Sequence, residues 1–209
     1  MLDEITGLVA KLYDVNGLIQ WGGLLIICII VFVETGLFAG FFLPGDSLLV
    51  TAGIFAAAGH LNLAYLIFFV SLCAIIGDQL GYYIGHKTGK LLFKKQDSLF
   101  FKQERLEKAK QFYEKHGPKT IVLSRFVPIV RTFAPAVAGA ANMAYKKFVF
   151  FNIFGGILWV FATVLTGYFL GTLIPGIGKY LHIVIGVVIV ISFIPIVHEI
   201  IKETKLLRF

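Results

Sequence analysis

Charge is scarce in this chain. Asp, Glu, Lys and Arg make up 15% of the residues, against about 25% in an average soluble domain, while hydrophobic residues reach 58%. Cysteine is scarcer still. Cys28 and Cys73 both fall in apolar segments without metal-ligand spacing, so neither a disulfide framework nor a metal site follows. The N-terminus lacks the basic stretch that precedes a short apolar core in a cleavable signal peptide; Asp3, Glu4 and Asp14 stand there against Lys11, and no such peptide is expected. Nucleophile–base pairs, metal-ligand clusters and phosphate-loop glycine motifs are also missing, which argues against an enzyme and leaves no cofactor to expect. His60, His86, His116, His182 and His198 are scattered near segment ends and loops and take no role.

What is abundant is clumped apolar sequence. Leu18 to Val33, Leu61 to Ile84, Phe148 to Leu170 and Leu181 to Ile201 each read as long and apolar enough to cross a bilayer, which needs roughly 20 residues of helix. The net charge of +7 does not point to nucleic acid, because ten of the nineteen basic residues lie between Lys87 and Lys119. Lys146, Lys147, Lys202, Lys205 and Arg208 follow, with only Lys179 between the third and fourth runs. Positive loops stay in the cytoplasm. Both termini and the central basic segment are therefore expected inside, with the Lys179 loop and the first hairpin outside.

Two further apolar stretches are broken. Leu37 to Gly59 is interrupted at Leu43-Pro44-Gly45-Asp46-Ser47, and Thr120 to Ala141 at Arg125, Pro128, Arg131 and Pro135. Proline removes a backbone donor and clashes with the preceding turn, so Pro44, Gly45 and Pro128 read as helix breaks. Leu37 to Leu43 could reach only about 10 Å as helix, which predicts a re-entrant hairpin. Broken backbone at that depth must be covered by protein or face a watery cavity. The chain also repeats itself. Gly81-Tyr82-Tyr83-Ile84-Gly85 returns as Gly167-Tyr168-Phe169-Leu170-Gly171, and Ala52-Gly53 as Ala138-Gly139. Each half reads as a hairpin followed by a span, inverted relative to the other, a transporter architecture. The expected fold is thus an all-α membrane protein with about four full spans and two hairpins, in one transmembrane domain over residues 1–209. Repeat one covers about 34–90, an amphipathic cytoplasmic segment about 91–117, repeat two about 118–176 and a final span about 181–201.

Charges inside the apolar segments carry the functional signal. Glu34 ends the first run, Asp46 follows the first break, Asp78 lies inside the second run, and Arg125 and Arg131 flank Pro128. One such charge at mid-bilayer costs about 2.5–3.5 kcal/mol, so these groups must pair, face water or change ionisation. Two acids in one repeat and two arginines in the other suggest pairing across the pseudo-symmetry axis. Plainer roles stand beside this. Asp46 and Ser47 could cap a half-helix, Glu34 could end a span at the interface, Asp78 could bond a neighbouring helix, and the arginines could snorkel to the surface. Arg holds phosphate in bidentate fashion, and half-helix N-termini favour anions. Arg125 and Arg131 are therefore candidates for a phosphate headgroup. Poorly solvated carboxylates exchange protons near neutrality, which makes Glu34, Asp46 and Asp78 candidates for proton coupling.

Glu34-Thr35-Gly36, Pro44-Gly45-Asp46, Gly77-Asp78-Gln79-Leu80-Gly81-Tyr82, Ser124-Arg125-Phe126-Val127-Pro128 with Arg131, and Ala138-Gly139-Ala140-Ala141-Asn142-Met143, in that order, resemble the DedA family, part of the group also called SNARE-associated Golgi or VTT-domain proteins. The resemblance runs from about Ile19 to Leu170. It implies a bacterial inner-membrane protein with two re-entrant hairpins, whose functionally important acids and arginines are Glu34, Asp46, Arg125 and Arg131. It further implies undecaprenyl phosphate recycling, phospholipid translocation or resistance phenotypes that depend on the proton motive force. Eukaryotic relatives behave as lipid scramblases, which keeps an uncoupled mechanism open.

The leading expectation is a transporter that moves a phosphate-bearing lipid between leaflets. A proton-coupled antiporter of small cations or drugs, and a non-transporting membrane-organising protein, are the rivals. Membrane lipids, a lipid substrate, protons and optionally a second copy of the chain are the expected partners.

Overall fold

The computed structural model describes residues 15–37, 45–92, 117 and 119–174. Six helices and no strand occur among the described residues: α1 (Val15–Gly36), α2 (Gly45–Ala57), α3 (Leu63–Leu92), α4 (Lys119–Ser124), α5 (Pro128–Ala140) and α6 (Tyr145–Leu173). Residues 38–44, which hold most of the expected first half-hairpin and Pro44, lie outside the described residues. So do most of the amphipathic segment, the final span near 181–201 and both termini.

Two of the expected spans are continuous apolar helices. Within α3, Leu63–Thr88 is 26 residues long, and α6 is 29. At 1.5 Å per residue both exceed a hydrocarbon core of about 30 Å. Asn62 sets the start of α3, its side-chain oxygen accepting the Tyr65 amide at 3.1 Å. Phe150, Phe154, Ile157 and Phe161 stand exposed along one face of α6, a surface suited to lipid rather than water. The first expected span differs. Gly23 inside α1 takes φ 51, ψ −138, a conformation open to glycine at little cost. The helical path breaks there and leaves Gly22–Gly36 as a shorter apolar helix.

The second broken stretch folds as its prolines require at Pro128 but not at Pro135. After α4, residues Arg125, Phe126 and Val127 donate to Val122, Leu123 and Ser124 carbonyls in tight i−3 turns. Val127 is extended at φ −116, ψ 106, as a residue before proline prefers, and Pro128 opens α5. Arg131 and Pro135 were expected among the breaks, yet both lie within α5. Pro135 is absorbed there at the loss of the bond its nitrogen would have given the Arg131 carbonyl.

Helices α2 and α5 end alike. The His60 amide reaches back to the Phe55 carbonyl and Gly59 to Ala56, with Gly59 at φ 82. Met143 reaches back to Ala138 and Asn142 to Gly139, with Asn142 at φ 55. Both are six-to-one caps around a left-handed residue, a position that suits Gly first and Asn next.

The chain divides into two compact units. In the first, of described residues 15–27, 45–66 and 162–174, α2 lies on the C-terminal part of α6. A Cβ at Gly53 would strike the Val164 carbonyl and the Tyr168 amide, and one at Gly167 would strike the Val50 backbone. Val50 and Ile54 form the core there, with Phe55 and Leu170 against them. In the second unit, of described residues 28–37, 67–92 and 117–161, α5 lies on α3 in the same manner. A Cβ at Gly85 would strike Ala136, and one at Gly139 the Tyr82 carbonyl. Tyr82, Ile121, Ala138 and Phe148 are its core, and the Tyr82 hydroxyl donates to the Met143 carbonyl at 2.5 Å. Small residues let helix backbones approach closely where lipid gives no hydrophobic drive to associate.

Candidate functional site

Four of the five candidate charges converge within the second unit. Glu34 ends α1, Asp78 sits in mid-α3, Arg125 occupies the turn between α4 and α5, and Arg131 lies in the first turn of α5. Their exposures are 2%, 4%, 3% and 7%, so none is solvated by bulk water and none snorkels. Arg125 Nη2 donates to Asp78 Oδ2 at 2.5 Å. Arg131 Nη2 pairs with Glu34 Oε1. Removing one partner from such a buried pair costs about 3–5 kcal/mol, because the other charge is left uncompensated.

The helices dictate these pairings. The turn at 125–127 exists because Pro128 cannot continue α4, and it turns Arg125 inward. Gly77 permits α1 to approach α3: a Cβ there would collide with Thr35 and with the Phe32 carbonyl. Glu34 and Asp78 thereby belong to adjoining helix segments, each opposite one arginine.

Two further side chains complete the cluster, and both come from α6. Asn152, fully buried, accepts from Arg125 Nη2 at 2.5 Å and donates to the Ile75 carbonyl at 3.1 Å. The Arg131 guanidinium carbon lies 4.8 Å from the centroid of the Trp159 ring, within cation–π range. Gly155 and Gly156 leave room for the Arg125 side chain, since a Cβ at Gly156 would sit 3.3 Å from Nη2. None of these four was singled out from sequence. The available signal was a lone Asn in a 29-residue apolar helix, where a buried polar group needs a partner.

Asp46 belongs to the other unit, half-buried in the first turn of α2 beside buried Ser47. A carboxylate there faces the positive end of the helix dipole. Of the expected breaks, Gly45 opens α2, Pro128 opens α5, and Pro44 lies outside the described residues. The Nε of Arg125 is buried with no hydrogen-bond partner among the described residues, so the guanidinium retains donor capacity. Chemically, the cluster is two neutralised Arg–carboxylate pairs. An anion could exchange for a carboxylate on either arginine, and a proton could discharge either acid.

The VTT domain family matches residues 43–169, a range that holds Asp46, Asp78, Arg125, Asn152 and Trp159. Protein DedA of Escherichia coli (strain K12) is 46% identical over 182 residues, covering 86% of this chain and 83% of that protein. An uncharacterised membrane protein of Mycobacterium leprae (strain TN) is 44% identical over 167 residues, 80% of this chain and 74% of its own. Inner membrane protein YqjA of Escherichia coli (strain K12) is 32% identical over 146 residues, 70% and 66% of the two chains. No solved structure matches the chain. The chain belongs to the DedA family of VTT-domain membrane proteins.

Proposed function

We propose that this protein is a transporter that moves a phosphate-bearing lipid, undecaprenyl phosphate or a phospholipid, between leaflets, with proton exchange on its buried acids. The observation that carries the reading is the pair of buried arginines, each neutralised by a carboxylate, packed against α3 and α6, the two helices long and apolar enough to cross a bilayer. Permanent guanidinium charge would be costly there without a partner. A headgroup phosphate offers the same bidentate oxygens as a carboxylate, and protonation of Glu34 or Asp78 would release an arginine to it. Arg125 Nε supplies an additional donor. Asp46 is assigned to proton entry at the start of α2. A membrane potential contributes about 2.3 kcal/mol per charge per 100 mV to any charge that moves.

The finer architecture proposed is two re-entrant hairpins and about four full spans as an inverted repeat. Helices α2 and α5 support it. Each has 13 residues, about 20 Å of rise and too short to cross. Each ends in the same cap and seats a glycine, Gly53 or Gly139, against a long helix. A bacterial inner-membrane location with cytoplasmic termini rests on the basic loops and on the name of the relative YqjA. Lipids and protons are the proposed partners.

A second reading, a proton-coupled antiporter of small cations or drugs, gains from the same pairs. Two Arg–carboxylate pairs could serve as a proton-gated cation site with no phosphate involved. Headgroup-resolved translocation in proteoliposomes, with and without a pH gradient, tests both. The proposal expects phosphate-bearing lipids to move and diacylglycerol transfer to be unaffected. Cation exchange driven by the gradient, with no phosphate-lipid transfer, would establish the antiporter instead.

A further inference from the structure

Asn152, Gly155, Gly156 and Trp159 occupy positions i, i+3, i+4 and i+7 of α6, which is one helical face. That face meets both arginines. Asn152 Oδ1 accepts from Arg125 Nη2 at 2.5 Å. Its amide orientation follows from the other end, where Nδ2 donates to the Ile75 carbonyl; an oxygen in that place would face another oxygen. Gly155 and Gly156 keep the space that the Arg125 stem and guanidinium fill. One turn further, the indole of Trp159, 2% exposed, lies under the Arg131 guanidinium.

Each arginine thus has two kinds of partner. Asp78 and Glu34 are charged, and either a proton or a competing anion can take them out of play. Asn152 and Trp159 are neutral at every accessible pH and offer an acceptor and a ring face that neither agent removes. We infer that Asn152 and Trp159 are positioning residues which keep the Arg125 and Arg131 guanidiniums aimed at their site while the carboxylates let go. This inference rests on the phosphate-headgroup reading above. It assigns to α6 the task of holding the anion site together between its two charge states.

The test uses the full chain in detergent, with thermal unfolding followed as dioleoyl phosphatidic acid is added and dioleoylglycerol as the control without phosphate. Phosphatidic acid is expected to stabilise the unaltered protein and dioleoylglycerol is not. Asn152→Leu and Trp159→Leu are each expected to weaken the apparent affinity for phosphatidic acid by about tenfold, as loss of a contact to a charged group implies. Trp159→Phe, which keeps a ring face, should stay within about threefold. If Asn152→Leu does not fold, Asn152→Gln misdirects the amide by one methylene and should show the same loss. Unchanged affinity in the Asn152 and Trp159→Leu variants overturns the inference. If phosphatidic acid fails to stabilise even the unaltered protein, the headgroup reading falls. The positioning role is then decided by melting temperatures in a cycle of Asn152→Leu with Arg125→Leu. Coupled losses keep it, and additive losses overturn it.

Discussion

Arg125 and Asp78 stand 47 residues apart in sequence and meet at 2.5 Å, with side chains 3% and 5% exposed. Breaking such a pair costs more than forming it contributes: losing one member strands the other, while losing both removes the desolvation cost as well. Asp78→Leu is expected to destabilise the protein by about 3–5 kcal/mol. Asp78→Leu combined with Arg125→Leu is expected to recover much of that loss. Thermal unfolding of the unaltered protein, both single variants and the double variant in one detergent checks this, and a double-variant loss equal to the sum of the two single losses would show that the pair does not act as a unit.

Geometry as well as charge is expected to matter at the arginines. A lysine ammonium is a point charge and cannot span two oxygens. Arg125→Lys and Arg131→Lys are therefore expected to fold but to lose about tenfold or more in affinity for phosphate-bearing lipid. Wild-type stabilisation of both variants by such lipids would make the arginines ion-pair partners only.

Glu34→Gln keeps the shape of the side chain and a hydrogen-bonding oxygen towards Arg131, but it cannot lose a proton. It is expected to insert and to bind headgroup while failing to complete turnover. Asp46→Asn is expected to purify normally and likewise lose activity. Full transport by both variants, read in the proteoliposome assay, would reduce Glu34 to an ion-pair partner of Arg131 and Asp46 to a helix cap.

Glycine substitutions separate packing from backbone strain. Gly53→Ala and Gly139→Ala drive a methyl group into helix backbone, and the overpacking is expected to cost about 1–3 kcal/mol or more. Asn142→Gly, at φ 55, is expected to be neutral or slightly stabilising, because glycine enters the left-handed region without strain. Melting temperatures of the three variants provide the comparison.

Topology is tested on a chain freed of Cys28 and Cys73. Single cysteines at Lys95 and Lys205 are expected to resist an impermeant thiol reagent applied to intact cells, and one at Lys179 to react. External labelling at 95 would reverse the orientation.

The spans at Leu61 to Ile84 and Phe148 to Leu170 were readable because mean hydropathy over 20 residues survives almost any local detail. The structure lengthens both, to Leu63–Leu92 and Tyr145–Leu173. The break before Pro128 was readable because its cause is covalent. Pro135 was misleading for the complementary reason: a helix held by neighbours tolerates one missing bond, and sequence does not display the neighbours. Gly23 shows the same limit, since its glycine permits a kink without requiring one. The charged residues announced themselves by being inside apolar runs. Which acid meets which arginine depends on helix rotation and depth, and there sequence is silent; Arg125 meets Asp78. Asn152 and Trp159 were passed over because one amide and one indole barely alter the hydropathy of α6.

The glycines of the helix contacts come four residues apart, Gly81 with Gly85 and Gly167 with Gly171, and the surfaces they meet are largely backbone. An interface of this kind has few rotamers with which to absorb a displacement. Sliding α2 along α6 by a fraction of a turn would set side-chain carbons against carbonyls, whereas a slide of one glycine spacing, about 6 Å, would bring the next gap into register. The seat is expected to act as a detent, with a small number of indexed stops in place of smooth travel.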